Sequence, residues 1–150
     1  MKANEYRDGI AEYLAAKYAE NGLEVFKEVR LGTSIVGKKR TIDILIIEKD
    51  TGKAFGLECK IQMGGGTAEE KLYFALEDVK SMPIPGAVIY YGEGFSKAFQ
   101  HMLAASPHAV YCKPPGCGEG DPETDELDTL LDIHFGLLRR RIPDKQKVKP

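Results

Sequence analysis

One position constrains this chain more than any other: an aspartate inside a run that otherwise reads as a buried strand. Residues 41–47 are Thr-Ile-Asp-Ile-Leu-Ile-Ile. β-branched and aliphatic side chains of this kind favour a strand covered on both faces. A carboxylate within it is expensive unless something compensates it. A second strand-like segment, Ala54–Ile61, follows after Glu48-Lys49-Asp50-Thr51-Gly52-Lys53, whose Asp, Thr and Gly supply turn chemistry. The two segments are expected to pair as an antiparallel hairpin. Alternation along the second puts Glu58, Lys60 and Gln62 on one face and Leu57, Cys59 and Ile61 on the other, which reads as core. Across such a hairpin Asp43 can lie opposite Glu58. Two carboxylates, an ammonium and an amide then share one small patch.

Paired carboxylates suit a hard divalent cation. Mg²⁺ takes one or two of them and leaves its other positions to water and phosphate oxygens. A neighbouring lysine can hold or deprotonate a water and offset charge on a phosphorane-like transition state, and Gln62 can orient the same water. Taken alone, Glu58 and Lys60 also read as an ion pair on a solvated strand face. Asp43 in the adjoining apolar strand moves the balance toward a metal site.

The rest of the chain frames this patch. Residues 4–20 carry Ile10, Leu14 and Tyr18 at helical spacing and stop at Asn21-Gly22. Leu23–Leu31 alternates as a strand, and Gly32–Gly37 is a turn or loop. A helix opens at Thr67, with Glu70 completing a capping box, and runs to about Lys80. Ala87–Tyr91 reads as a strand, Ser96–Ala105 as a helix and Ala109–Cys112 as a last strand. Residues 113–124 are rich in Pro, Gly and acids and read as a loop. Residues 125–141 form an amphipathic helix whose three arginines suit the negative end of its dipole, packing on the core or at a dimer interface. A basic tail occupies 142–150. The order α-β-β-β-α-β-α-β-α implies an α/β domain, a mixed central sheet flanked by helices.

Composition narrows the function. A chain of 150 residues fits a single domain, and 43% hydrophobic content excludes a disordered one. No apolar run approaches the roughly 20 residues of a membrane span. The N-terminus shows no secretory h-region, and three cysteines are too few for a disulfide framework, so a reducing cytoplasm is the expected setting. The formal charge of -2 hides an asymmetry: residues 118–132 carry seven acids and no Lys or Arg, and the remainder holds 21 bases against 16 acids. That balance permits a polyanionic partner without establishing one.

Asp43, fourteen intervening residues, and then Glu58-Cys59-Lys60 resemble the bipartite motif of the PD-(D/E)XK nucleases. The resemblance covers most of residues 4–112: an opening helix, a three-strand meander with the motif on its second and third strands, a helix and a further strand. Gln62 and the segment Gly66-Thr67-Ala68-Glu69-Glu70-Lys71 are similar to stretches of restriction-type endonucleases, whereas Ile42 stands where the family's Pro belongs. The resemblance implies a restriction-endonuclease-like core in residues 1–112. It implies Asp43, Glu58 and the Cys59 carbonyl as ligands of Mg²⁺, for which Mn²⁺ can substitute. Lys60 becomes the residue that positions the attacking water. Glu12 on the opening helix is a candidate for a second metal, or an exposed helix acid, and Glu28 is a weaker candidate.

The expected activity is hydrolysis of DNA phosphodiester bonds, as an endonuclease rather than an exonuclease, in a bacterium or a phage-infected cell; a homodimer would cut both strands. The alternative is a non-catalytic nucleic-acid-binding module on the same fold. For DNA contact, Ser34, Lys38, Lys39 and Arg40 form a basic, hydroxyl-bearing loop ahead of the Asp43 strand, either a phosphate grip or an ordinary polar hairpin. Thr67 behind its glycines either offers backbone N–H groups to phosphate or simply caps its helix. Lys71, one turn further on, contacts phosphate or is merely solvated.

Overall fold

Tyr6, Ile10, Leu14 and Tyr18 recur every four residues, so the opening segment carries one apolar stripe. The computed structural model describes residues 2–63, 66–115 and 124–150, side chains at 62, 63, 66–68 and 93 excepted. In it this segment forms α1 (Ala3–Tyr18), with all four of those side chains buried. A short 3₁₀ turn follows, and Gly22, at φ 74°, closes it by donating its N–H to the Ala19 carbonyl.

The alternating segments become β1 (Leu23–Thr33), β2 (Lys39–Glu48) and β3 (Ala54–Met63). These three make an antiparallel meander. After α2 (Gly66–Lys80) the chain crosses over to β4 (Gly86–Glu93), parallel to β3; α3 (Lys97–Ala105) leads to β5 (Ala109–Tyr111), parallel to β4. The five strands lie in sequence order in one mixed sheet. Gly86 is required where β4 enters: a Cβ there would meet the Gly56 carbonyl oxygen at 2.6 Å.

Helices cover both faces. One core joins Tyr6, Ile10 and Leu14 of α1 to Ile44, Ile46, Leu57, Cys59 and Ile89 of the sheet, and to Leu127 and Leu131 of α4 (Asp125–His134). The other joins Leu45 and Val88 to Leu72, Leu76 and Val79 of α2 and to Leu103 of α3. Each large aliphatic side chain buried this way contributes roughly 1.5–3 kcal/mol. The result is a single α/β domain, a five-stranded sheet between helical layers. Among the described residues no helix is long and apolar enough to cross a membrane.

Three local expectations are corrected. The helix expected to be capped by Thr67 begins at Gly66, so Thr67 lies inside its first turn. The helix expected over 125–141 stops at His134. There Gly136 adopts φ 72°, Leu137 donates its N–H to the Asp132 carbonyl at 2.7 Å and Gly136 to that of Ile133 at 3.4 Å, a Schellman closure. Only a 3₁₀ turn, Leu138–Arg141, follows. The arginines therefore do not ride on the end of a long helix. Arg140 reaches Asp132 at 2.9 Å and Arg141 pairs with the same carboxylate.

Part of the acidic run is buried. Asp128 and Asp132 are 4% and 2% exposed. Lys17 meets Asp128 at 2.8 Å, Tyr13 donates to Asp128 and Tyr18 to Asp132. A carboxylate can be buried there because cations and hydroxyls from α1 and the C-terminal turn replace its water. Residues 116–123 of the expected loop, Cys117 included, lie outside the described residues.

Candidate active site

The β2–β3 ladder pairs Ile47 with Ala54, Ile46 with Phe55, Leu45 with Gly56 and Ile44 with Leu57, and there it ends. The next position in that register sets Asp43 opposite Glu58. The Asp43 side chain takes over at this point: Oδ2 accepts the Cys59 N–H at 2.8 Å. That bond answers the cost of a mid-strand carboxylate, fixes its direction and leaves Oδ1 for another partner. On the other flank of β2, Lys27 pairs with Ile44 and Val29 with Ile42. Glu28, between them and facing Asp43, takes φ 54°, a left-handed conformation rare outside glycine. Its carboxylate turns away to Arg7 at 2.6 Å.

On β3, Leu57 and Cys59 are buried in the α1-side core. Alternation therefore turns Glu58 and Lys60 toward α2. Both line a cleft of about 300 Å³. Ser34, Ile35 and Val36 of the β1–β2 hairpin form one wall; Lys71, Phe74, Ala75 and Asp78 of α2 form another.

The electrostatics centre on Glu58. Its Oε1 is buried with no hydrogen-bond partner among the described residues. Burial first, and then the Asp43 carboxylate lying close enough to share a proton, push its carboxyl up to about 8; the Lys60 ammonium pulls it down and Asp78 adds to the rise. Burial and the neighbouring carboxylate thus favour the protonated form of Glu58. The Cys59 thiol is pushed well up by burial and by the same two carboxylates, which keeps it neutral.

The donor set fits a divalent metal. Glu58 Oε1, buried with no hydrogen-bond partner among the described residues, and the neighbouring Asp43 carboxylate offer hard ligands to one small ion. In an extended strand a residue's N–H and C=O face the same neighbour, so the Cys59 carbonyl turns toward β2 as its N–H does. Among the described residues no three of His, Cys, Asp and Glu gather into a ready-made cage. The remaining positions would fall to water and phosphate oxygens.

The other expected residues divide. Ser34 and Lys71 line the cleft, and Lys38 and Lys39 are exposed on the hairpin arm beside it. Arg40, expected to face DNA with them, is corrected. It is only 3% exposed and donates to Asp78 Oδ1 at 2.9 Å and to Ser81 Oγ at 3.0 Å, because β2 directs it under the hairpin and against α2. Glu12 is exposed on α1, whose buried stripe packs on the sheet face opposite the cleft. The charged groups acting most strongly on Glu58 are Asp43, Lys60 and Asp78. The side chains of Gln62 and Thr67 lie outside the described residues; the β3 backbone at Gln62 pairs with Gly92.

Sequence reading missed Asp78 and Phe74. Asp78 accepts the Ile35 N–H at 3.0 Å as well as Arg40, so it ties the hairpin tip to α2. No local pattern links positions 38 or 43 residues apart. The only available signals were an acid one residue before the inward-facing Val79 and a phenylalanine off the apolar stripe of its helix.

The sequence matches the family model of the PD-(D/E)XK nuclease superfamily domain over residues 2–138. No curated protein matches it. Among solved structures it is similar to a protein of unknown function, AF1548, at 15% identity and TM-score 0.45, covering 83% of this chain and 66% of the other. It is also similar to a repair endonuclease from Pyrococcus abyssi, at 15% identity and TM-score 0.39, covering 72% and 47%. A third similarity is to EndoMS in its complex with double-stranded DNA, at 18% identity and TM-score 0.41, covering 77% and 47%. The chain thus spans between about half and two thirds of the length of these proteins.

Proposed function

The chain belongs to the PD-(D/E)XK nuclease superfamily, and on that premise we propose that it is a metal-dependent deoxyribonuclease, an endonuclease, whose site is Asp43, Glu58 and Lys60. The observation that carries this reading is Glu58 Oε1, buried beside Asp43 with no partner among the described residues, in a cleft that Lys60 also lines. Asp43, Glu58 and the Cys59 carbonyl would hold Mg²⁺, or Mn²⁺ in its place. When bound, the ion supplies Lewis-acid stabilisation of the charge that develops on phosphate.

The chain's own groups do the rest. The Cys59 N–H holds the Asp43 carboxylate in one orientation, which removes a reorganisation step from the reaction. Lys60 Nζ would orient the attacking water in line with phosphorus and offset the charge developing on phosphate, with Gln62 as a second hydrogen-bonding group. Lys38, Lys39, Ser34, Lys71 and the N-terminal turn at Thr67 hold the DNA backbone through phosphate contacts. Residues 1–112 form the catalytic core, residues 125–141 brace it, and two copies would supply one centre per strand. A cytoplasmic setting accords with the free buried thiols of Cys59 and Cys112.

The test is a panel of labelled duplex, branched and single-stranded DNA with Mg²⁺, with Mn²⁺ and with chelator. Cleavage that needs metal, and that Asp43→Asn and Lys60→Ala abolish, supports the reading. Binding without cleavage in every arm would make the chain a non-catalytic DNA-binding module instead.

A further inference from the structure

The walls above Glu58 are not those of a site for phosphate alone. Ile35, Val36 and Phe74 expose 47%, 67% and 58% of their surface. All three line the same cleft as Glu58, Lys60 and Lys71. Single exposed apolar side chains need no explanation. Three that converge on a cleft edged by cations form a patch, and such patches mark binding surfaces.

This wall is also held in place. The tip carrying Ile35 and Val36 is anchored by the Ile35 N–H on Asp78, and Asp78 in turn accepts from Arg40. Arg40 is buried with its Nε lacking a partner among the described residues. Burying a guanidinium with an unpaired N–H is costly. Two water-facing aliphatic side chains are thus fixed at the mouth of the cleft at a cost in stability.

An occupant of this cleft must offer a flat apolar face to Phe74 and the hairpin tip, and an anion to Lys60 and Lys71. A nucleotide whose base has left the helical stack offers both. A base within continuous duplex does not, because its neighbours cover both of its faces. We propose that the cleft is a subsite for one unstacked nucleotide beside the scissile bond, with its base against the Phe74 ring and the Ile35–Val36 tip and its phosphate toward Lys71. This rests on the nuclease reading above and adds to it a substrate form: single strands, bulges and strand ends in preference to unbroken duplex. Asp78 is the positioning residue that keeps the tip in register with Phe74.

The experiment is a fluorescence titration, in EDTA so that nothing is cut, of oligonucleotides carrying one 2-aminopurine that is single-stranded, bulged or paired within a duplex. The unstacked forms should bind more tightly than the paired one at equal salt. Phe74→Ala should weaken the unstacked forms by roughly 5- to 150-fold, the range that one base–aromatic stack is worth. Phe74→Trp should restore the affinity, and neither variant should change duplex binding. Phe74 is exposed, so both variants should melt with the wild type. Asp78→Asn, which keeps an acceptor for the Ile35 N–H, should bind more tightly than Asp78→Ala. Equal affinity for paired and unstacked forms, or no effect of Phe74→Ala, overturns the proposal. So does a shift from dimer to monomer on Phe74→Ala, because the patch would then be a contact between two copies. Since binding is read without metal, a preference for unstacked DNA with no cleavage anywhere sinks only the nuclease reading. Cleavage without that preference sinks only this inference.

Discussion

Asp43 Oδ2 accepts the backbone N–H of Cys59 at 2.8 Å, at the position where the β2–β3 ladder ends. One side chain therefore does two things. It satisfies a strand donor that would otherwise lack its carbonyl, and it holds a carboxylate beside Glu58.

That double role separates two substitutions. Asp43→Asn keeps an oxygen for the Cys59 N–H and loses the charge; Asp43→Ala loses both. Both should abolish metal-dependent cleavage. Only Asp43→Ala should lower stability, by about 1–2 kcal/mol for an orphaned buried donor. Denaturant melts of the two variants beside a cleavage assay check this, and equal stability would remove the structural half of the role.

The Glu58 carboxyl is raised above its ordinary value, from 4.5 to about 8. The folded chain therefore binds this proton more tightly than the unfolded one. Between those two values the native state holds the extra proton, so metal-free stability should fall as pH rises through that window and level off above it. Glu58→Gln carries no titrating group and should flatten the slope, leaving the variant the more stable of the two at pH 8. Thermal melts in chelator from pH 5 to 8 decide the matter; parallel curves for the two proteins would contradict the assignment.

Metal uptake must displace the same proton, so Mg²⁺ and Mn²⁺ affinity should rise with pH across that window. Saturation at about 100 times Kd should stabilise the wild type by about 2.7 kcal/mol. Asp43→Asn and Glu58→Gln should show little of that gain. Calorimetric titration in two buffers of different ionisation enthalpy reads the released proton directly, and its absence would mean the pair binds no ion.

Arg40 and its neighbours Lys38 and Lys39 should behave in opposite ways. Arg40→Met breaks a buried pair with Asp78 and should destabilise the fold by roughly 3 kcal/mol. Lys38→Ala and Lys39→Ala should leave stability alone. Each should weaken DNA binding across all sequences and lower the salt slope by about one. Salt titrations of binding alongside melts distinguish the two classes.

Much of this was legible along the chain because it depends on near neighbours. The four-residue recurrence of Ile10, Leu14 and Tyr18 marked α1, and the turn at Glu48–Lys53 marked a hairpin. The period of two put Glu58 and Lys60 on the face opposite Cys59. Arg40 misled because a run of basic residues looks uniform in sequence. Burial treats its members differently: Lys38 and Lys39 remain in water while Arg40 meets a carboxylate 38 residues away. The partners of the acidic stretch were equally out of reach, since Asp128 and Asp132 find their cations on α1 and on the C-terminal turn.

Local spacing and side-chain chemistry alone determined most of the elements, their order and the register that sets Asp43 opposite Glu58, because hydrophobic period and turn residues act over a few positions. Tertiary packing alone decided that a Glu58 oxygen is buried without a partner among the described residues, that Asp78 anchors the hairpin tip and that Phe74 faces the same cleft. Those facts arise where α2 is laid across the sheet by a crossover. Side chains far apart in sequence meet there in a low-dielectric space whose energies no local pattern encodes.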